Sequence, residues 1–113
     1  MKNFIKLHTF ISNTTIYNYE SIISRLDSME LCIHPEQINY METTYTTQYI
    51  SHDLIDRLEG LTAVLFNTAY DEYKNHIVLT KIYYGENIFT VWESCNEIDN
   101  LITKYNKYKK KFF

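Results

Sequence analysis

The chain of 113 residues has two glycines, one proline, two cysteines and one tryptophan. With two glycines, a loop that cradles phosphate through its backbone amides is not expected. One proline and two glycines also leave few sharp turns. Cys32 and Cys95 form no metal or redox spacing, and in a cytosolic chain they stay reduced, so both are expected to be packing residues. No apolar run approaches the roughly 20 residues of a membrane helix. Lys2 and Lys6 interrupt the start, so no secretory signal is expected and the chain reads as soluble and cytoplasmic. There is no paired His/Cys/Asp metal spacing and no nucleophile elbow. Neither an enzyme nor a cofactor is expected.

Apolar residues make up 45% of the chain, with eleven Tyr and six Phe, so a folded domain with a small core is expected. The net charge of −3 is unevenly spread. All 14 acids fall within residues 20–99, against Arg25, Arg57, Lys74 and Lys81, a difference of 4 − 14 = −10. Residues 104–113 carry five lysines (104, 107, 109, 110 and 111) and no acid. An acidic body is either an ordinary solvated surface or one whose field attracts a basic cleft.

Phe4, Leu7 and Ile11, flanked by Ile5 and Phe10, recur at helical spacing, so residues 2–12 read as a short helix with a strand as the alternative. Tyr19, Ile22, Ile23, Leu26 and Met29 predict a helix over about 17–30. Together these make residues 1–39 a helical N-terminal region. Pro35 stops any helix before it. Residues 40–47 hold four threonines and no helical period, and predict a strand. Glu42, Thr44 and Thr46 would line one face, with Met41, Thr43 and Tyr45 on the other. No lysine protects this strand, which leaves it free to pair or dock.

Ser51 is a natural N-cap for a helix from His52 to about Glu59, with Gly60 as its stop. Leu54, Ile55 and Leu58 would face inward, and Asp53, Asp56 and Glu59 outward. Ser51-His52-Asp53 uses catalytic residue types, but neighbours at a helix start do not point at one another. Strands are predicted at about 62–67, 76–84 and 87–93, with Gly85-Glu86-Asn87 as a hairpin turn. A last helix over about 96–108 would bury Ile98, Leu101, Ile102 and Tyr105, and Phe112 and Phe113 would pack back or fray. The sum is a single α+β domain: a small antiparallel β-sheet packed against helices, with 40–93 as its core and 94–113 as a C-terminal helix and basic tail.

Three ordered blocks add a resemblance: Thr68-Ala69-Tyr70-Asp71-Glu72, then Asn75 with Ile77, Leu79 and Thr80, then Gly85-Glu86-Asn87. They resemble the uracil-DNA glycosylase inhibitors of phages and mobile elements, proteins that imitate DNA. The likeness spans about residues 42–92. It implies an N-terminal helix, a contact strand beginning Glu-Ser-Ile, a short acidic helix, and an antiparallel sheet holding the first block. Order and spacing place the contact strand at Glu42 to Thr46, where Thr43 keeps the serine's hydroxyl and Thr44 departs from the isoleucine. A literal Glu20-Ser21-Ile22 is the alternative contact.

By this resemblance Glu42, Thr43, Thr44 and Thr46 would stand in for phosphate oxygens, with Asp53, Asp56 and Asp71 extending the charge track. Leu54, Ile55, Leu58, Phe66, Ile77 and Leu79 would form a hydrophobic pocket for the apolar side chain that the enzyme inserts into the base stack. The implied partner is one uracil-DNA glycosylase molecule, bound by a monomer without nucleic acid, membrane, metal or cofactor. A segment of the family between Leu79-Thr80 and Gly85 is missing, and residues 1–40 and the lysine tail have no counterpart. The alternatives are a DNA mimic with a different basic target, such as an anti-restriction or nuclease-immunity protein, and a nucleic-acid binder using the tail lysines with their interleaved tyrosines.

Overall fold

A computed structural model describes residues 4–111, with side chains up to residue 107. Lys2, Phe112 and Phe113, and the tail side chains from Tyr108 onward, lie outside what is described. The strands are β1 (Ile5–Tyr17), β2 (Glu20–Ile33), β3 (Ile38–Tyr45), β4 (Tyr49–Ile50), β5 (Tyr70–Asp71), β6 (His76–Tyr84) and β7 (Asn87–Val91). The helices are α1 (His52–Arg57), α2 (Gly60–Ala69) and α3 (Cys95–Lys111). Among the described residues the sheet runs β3-β6-β7-β1-β2-β4, and β5 pairs with β6. All ladders are antiparallel except β2 with β4. The fold is α+β, as expected.

The N-terminal helices are not there. Residues 5–33 form one long hairpin, paired from Ile5↔Ile33 to Tyr17↔Glu20, so the helical reading of 1–39 is corrected. Its two-residue turn holds Asn18 and Tyr19 at φ 50° and 65°, the left-handed pair that suits the twist of a tight hairpin. The strand expected at 62–67 is also corrected, because it lies within α2. Thr68 and Ala69 end that helix, so the first block of the resemblance begins on a helix and reaches sheet only at Tyr70-Asp71. The first helix ends at Arg57 with Leu58 as its C-cap, and Gly60, expected as its stop, is instead the first residue of α2, so that expectation is corrected as well. Strand 76–84, the turn at Gly85 with φ +59°, and strand 87–91 form a hairpin. Ser51 Oγ accepts from Leu54 N at 3.2 Å and caps α1. The last helix is present, and the lysines assigned to a tail lie within it up to Lys111.

Both faces of the sheet are covered. Ile77 and Leu79 of β6 join a cluster with Leu54 of α1, Phe66 of α2, Ile23, Leu26, Ile50 and Trp92. Ile82, three residues after Leu79 and therefore on the opposite face, joins Ile5, Leu7, Ile33, Val91 and Ile98 of α3. Leu101, Ile102 and Tyr105 pack against this second cluster, the stripe expected of that helix. Two thin cores, one partly aromatic and one aliphatic, thus hold one sheet between α1–α2 and α3.

Candidate functional site

β3 lies at the edge of the sheet and pairs with β6 from Ile38↔Tyr84 to Tyr45↔Val78. The strand expected at 40–47 is present as Ile38–Tyr45 and ends the strand order. The pleat divides its side chains. Glu42 and Thr44 share one face with Tyr40; Met41 and Thr43 turn to the α3 side, where Thr43 Oγ1 lies 3.7 Å from Cys95 Sγ. Thr43 is thereby separated from Glu42 and Thr44.

Glu42 is exposed, and its Oε1 accepts a 2.7 Å hydrogen bond from the Tyr83 hydroxyl. Tyr83 stacks on Tyr40 with ring centroids 4.2 Å apart and planes 10° from parallel. The hydrogen bond to Glu42 raises the Tyr83 phenol well above the ordinary tyrosine value, with a smaller contribution from the hydrogen bond to Tyr40. Glu42 is therefore held in one orientation at the sheet rim. Sequence reasoning missed this Tyr40–Tyr83 support; the only signal was alternation, which puts Tyr83 on the face of Leu79 and Lys81.

Thr46 has a structural role. It is buried, its N–H donates to Ile77 O at 3.1 Å, and its Oγ1 accepts from Ile77 N at 2.9 Å. Asp71 is similarly engaged, with Oδ1 accepting from Tyr73 N and Lys74 N at 3.1 and 3.4 Å and Oδ2 lying 3.7 Å from His76. Both therefore shape the backbone around the site. Asp53 and Asp56 stand exposed on α1, as expected. Glu20, the alternative contact, is exposed at the hairpin turn beside Tyr19.

The six apolar residues assigned to a pocket do meet in one cluster. They meet as packed core: Leu54, Phe66, Ile77 and Leu79 are buried, and Ile55 and Leu58 pack against them. Leu79 alone of the six also lines an open groove of about 320 Å³, with Phe10, Thr44, Thr46, Lys81 and Thr90 around it. Thr44 thus lines a groove beside β3 whose apolar lining is Phe10 and Leu79, and Glu42 pairs across the ladder with Lys81, which lines it too. Helical spacing makes Phe10 only a flank of a helix stripe. As a strand residue it reaches the α1–α2 side, where its ring lies 5.1 Å from that of Trp92.

Ten of the 14 acids are exposed in the structure, so the body's negative charge lies at its surface. Among the described residues no cluster of His, Cys, Asp and Glu could hold a metal ion, and no helix is long and apolar enough to cross a membrane. Cys32 is exposed, contrary to a packing role, and Cys95 is half-buried. No protein-family model, curated protein or solved structure matches this chain.

Proposed function

We propose that this protein is a DNA mimic that inhibits uracil-DNA glycosylase by occupying the enzyme's basic groove. The observation that carries the reading is Glu42, an exposed carboxylate oriented by Tyr83 on an edge strand that carries no lysine, beside a groove with an apolar floor. The three ordered sequence blocks name the target. Glu42 and the Thr44 hydroxyl stand in for phosphate oxygens, and Asp53 and Asp56 add negative field. The groove over Phe10 and Leu79 receives the enzyme's intercalating side chain. Burying one leucine-sized side chain there contributes about 1.5–3 kcal/mol. That share resists salt, whereas the charge contacts weaken as ionic strength rises.

The hairpin of residues 5–33 stands where the resemblance implies a helix. That departure favours, as a second reading, the same mimicry aimed at another basic DNA-processing enzyme. Size-exclusion chromatography of the protein mixed with purified uracil-DNA glycosylase tests the first reading. A 1:1 complex that excludes duplex DNA supports it. Separate elution at micromolar concentrations rejects it, and a complex formed instead with a restriction enzyme or nuclease favours the second.

A further inference from the structure

β7 meets β1 at one register point, Thr9↔Val91, where Trp92 N donates to His8 O at 2.9 Å. Past it, the outer edge of β1 from Ile11 to Tyr17 has no neighbouring strand among the described residues. In a regular strand the main-chain groups alternate sides. Since His8 O points outward, the N–H and C=O groups of Ser12, Thr14 and Ile16 point outward too.

None of the usual devices blunts this edge. Residues 9–19 contain no charge and no proline. The hairpin's bulge falls on β2, where Asn13 pairs with Arg25 and Thr14 with Ile23, leaving Ser24 as the extra residue and β1 regular. Ile16 and Tyr17 are 81% and 67% exposed along it.

We propose that this edge pairs with the same edge of a second copy, antiparallel, about a two-fold axis at Thr14. The register follows from the outward groups: Thr14 faces Thr14 of the second copy, and Ser12 faces Ile16 on either side. Each of these three positions exchanges two backbone hydrogen bonds. The same register sets Ile11 opposite Tyr17, an apolar pair on one face of the joined ribbon. Charge sets where two copies can meet. Residues 20–99 carry 4 − 14 = −10, so a second copy approaching the body meets like charge, whereas the arm offers a neutral strand to its twin. The molecule is 58 Å long and 23–29 Å across, so contact along the arm also limits repulsion between the bodies. A two-stranded ribbon is marginal alone, and pairing makes it four-stranded. This replaces the monomer that the resemblance implies for the free protein.

Sedimentation equilibrium of the full chain is the test, with Thr14→Pro and Ile16→Lys alongside. Thr14 N–H points away from β2, so proline there removes an outward donor and leaves the hairpin ladder bonded. The expected result is twice the chain mass for the natural protein in the micromolar to millimolar range, and the single chain mass for both variants with unchanged circular dichroism. Amide exchange at Ser12, Thr14 and Ile16 slows with concentration, while Asn13 and Thr15 do not change. A natural protein that sediments as a monomer throughout, or variants that dimerise equally well, overturns the proposal. So does a monomer that takes a strand from another protein at this edge.

Discussion

The Tyr83 hydroxyl donates to Glu42 Oε1 across 2.7 Å, joining the edge strand β3 to β6 through side chains as well as backbone. The contact stabilises the neutral phenol, whose pKa is raised above its ordinary value of 10.0, chiefly by this hydrogen bond. The contribution to stability is therefore fully present below the ordinary phenol pKa and is lost as pH rises through the raised one. In Glu42→Gln the Tyr83 resonance, followed by carbon NMR of ring-labelled tyrosine, is expected to titrate at lower pH. An unmoved titration would show that the bond does not form in solution.

Asn75 makes a second cross-link, between β4 and the turn before β6. Its Oδ1 accepts from Ile50 N at 2.9 Å, and its Nδ2 donates to Ile50 O at 3.2 Å and to Tyr70 Oη at 2.9 Å. Its φ of 50° is one that asparagine tolerates better than alanine. Losing three hydrogen bonds at about 1 kcal/mol each predicts that Asn75→Ala destabilises by about 2–4 kcal/mol in urea unfolding. A change below half a kcal/mol would mean that β4 is held by other contacts.

Tyr19 sits at φ 65° with its side chain wholly exposed at the hairpin tip. A left-handed conformation costs a non-glycine residue about 1–2 kcal/mol, and no packing offsets it here. Tyr19→Gly is therefore expected to raise the melting temperature. A lower melting temperature would show that the ring contributes to the folded monomer.

The two strands of this hairpin explain why the N-terminal third misled sequence reasoning. Ile5 and Leu7 pack on the α3 side and Phe10 on the other, so β1 is apolar on both faces and lacks clean alternation. In β2 the bulge at Ser24 shifts the phase. Ile23 and Leu26 then point to the same face three residues apart, a spacing that imitates a helix. Ala63-Val64-Leu65-Phe66 is a short apolar run that periodicity cannot assign. It is a helix whose Phe66 alone is buried. Strand 76–84 is also packed on both faces, but its β-branched and aromatic run and the turn at Gly85 mark it as one arm of a hairpin, which the structure shows. At the candidate site, alternation correctly put Glu42 and Thr44 on one face. Nothing local revealed that Phe10 would line a groove with Thr44 or that Thr46 would be buried in the Ile77 backbone contact.

Glu93 is the most buried carboxylate described, 7% exposed, and accepts from His8 N at 2.9 Å while His8 Nδ1 lies 2.7 Å from its other oxygen. It ties the end of β7 to β1 at the last point where the two strands meet. Hydrogen bonds to a charged group contribute about 1.5–3 kcal/mol. Glu93→Ala is expected to cost about that much in urea unfolding, whereas Glu30→Ala, at an exposed ion pair with Lys6, costs little. Equal effects would remove the special role given to the buried contact.

A uracil-excision assay reads the proposed inhibition itself: purified glycosylase, a uracil-containing oligonucleotide, and this protein titrated in. The expected result is stoichiometric inhibition that survives moderate salt, and a loss of at least tenfold in potency for Glu42→Ala, about 1.4 kcal/mol. Full excision at a large excess of the protein, against both bacterial and human enzymes, would contradict it.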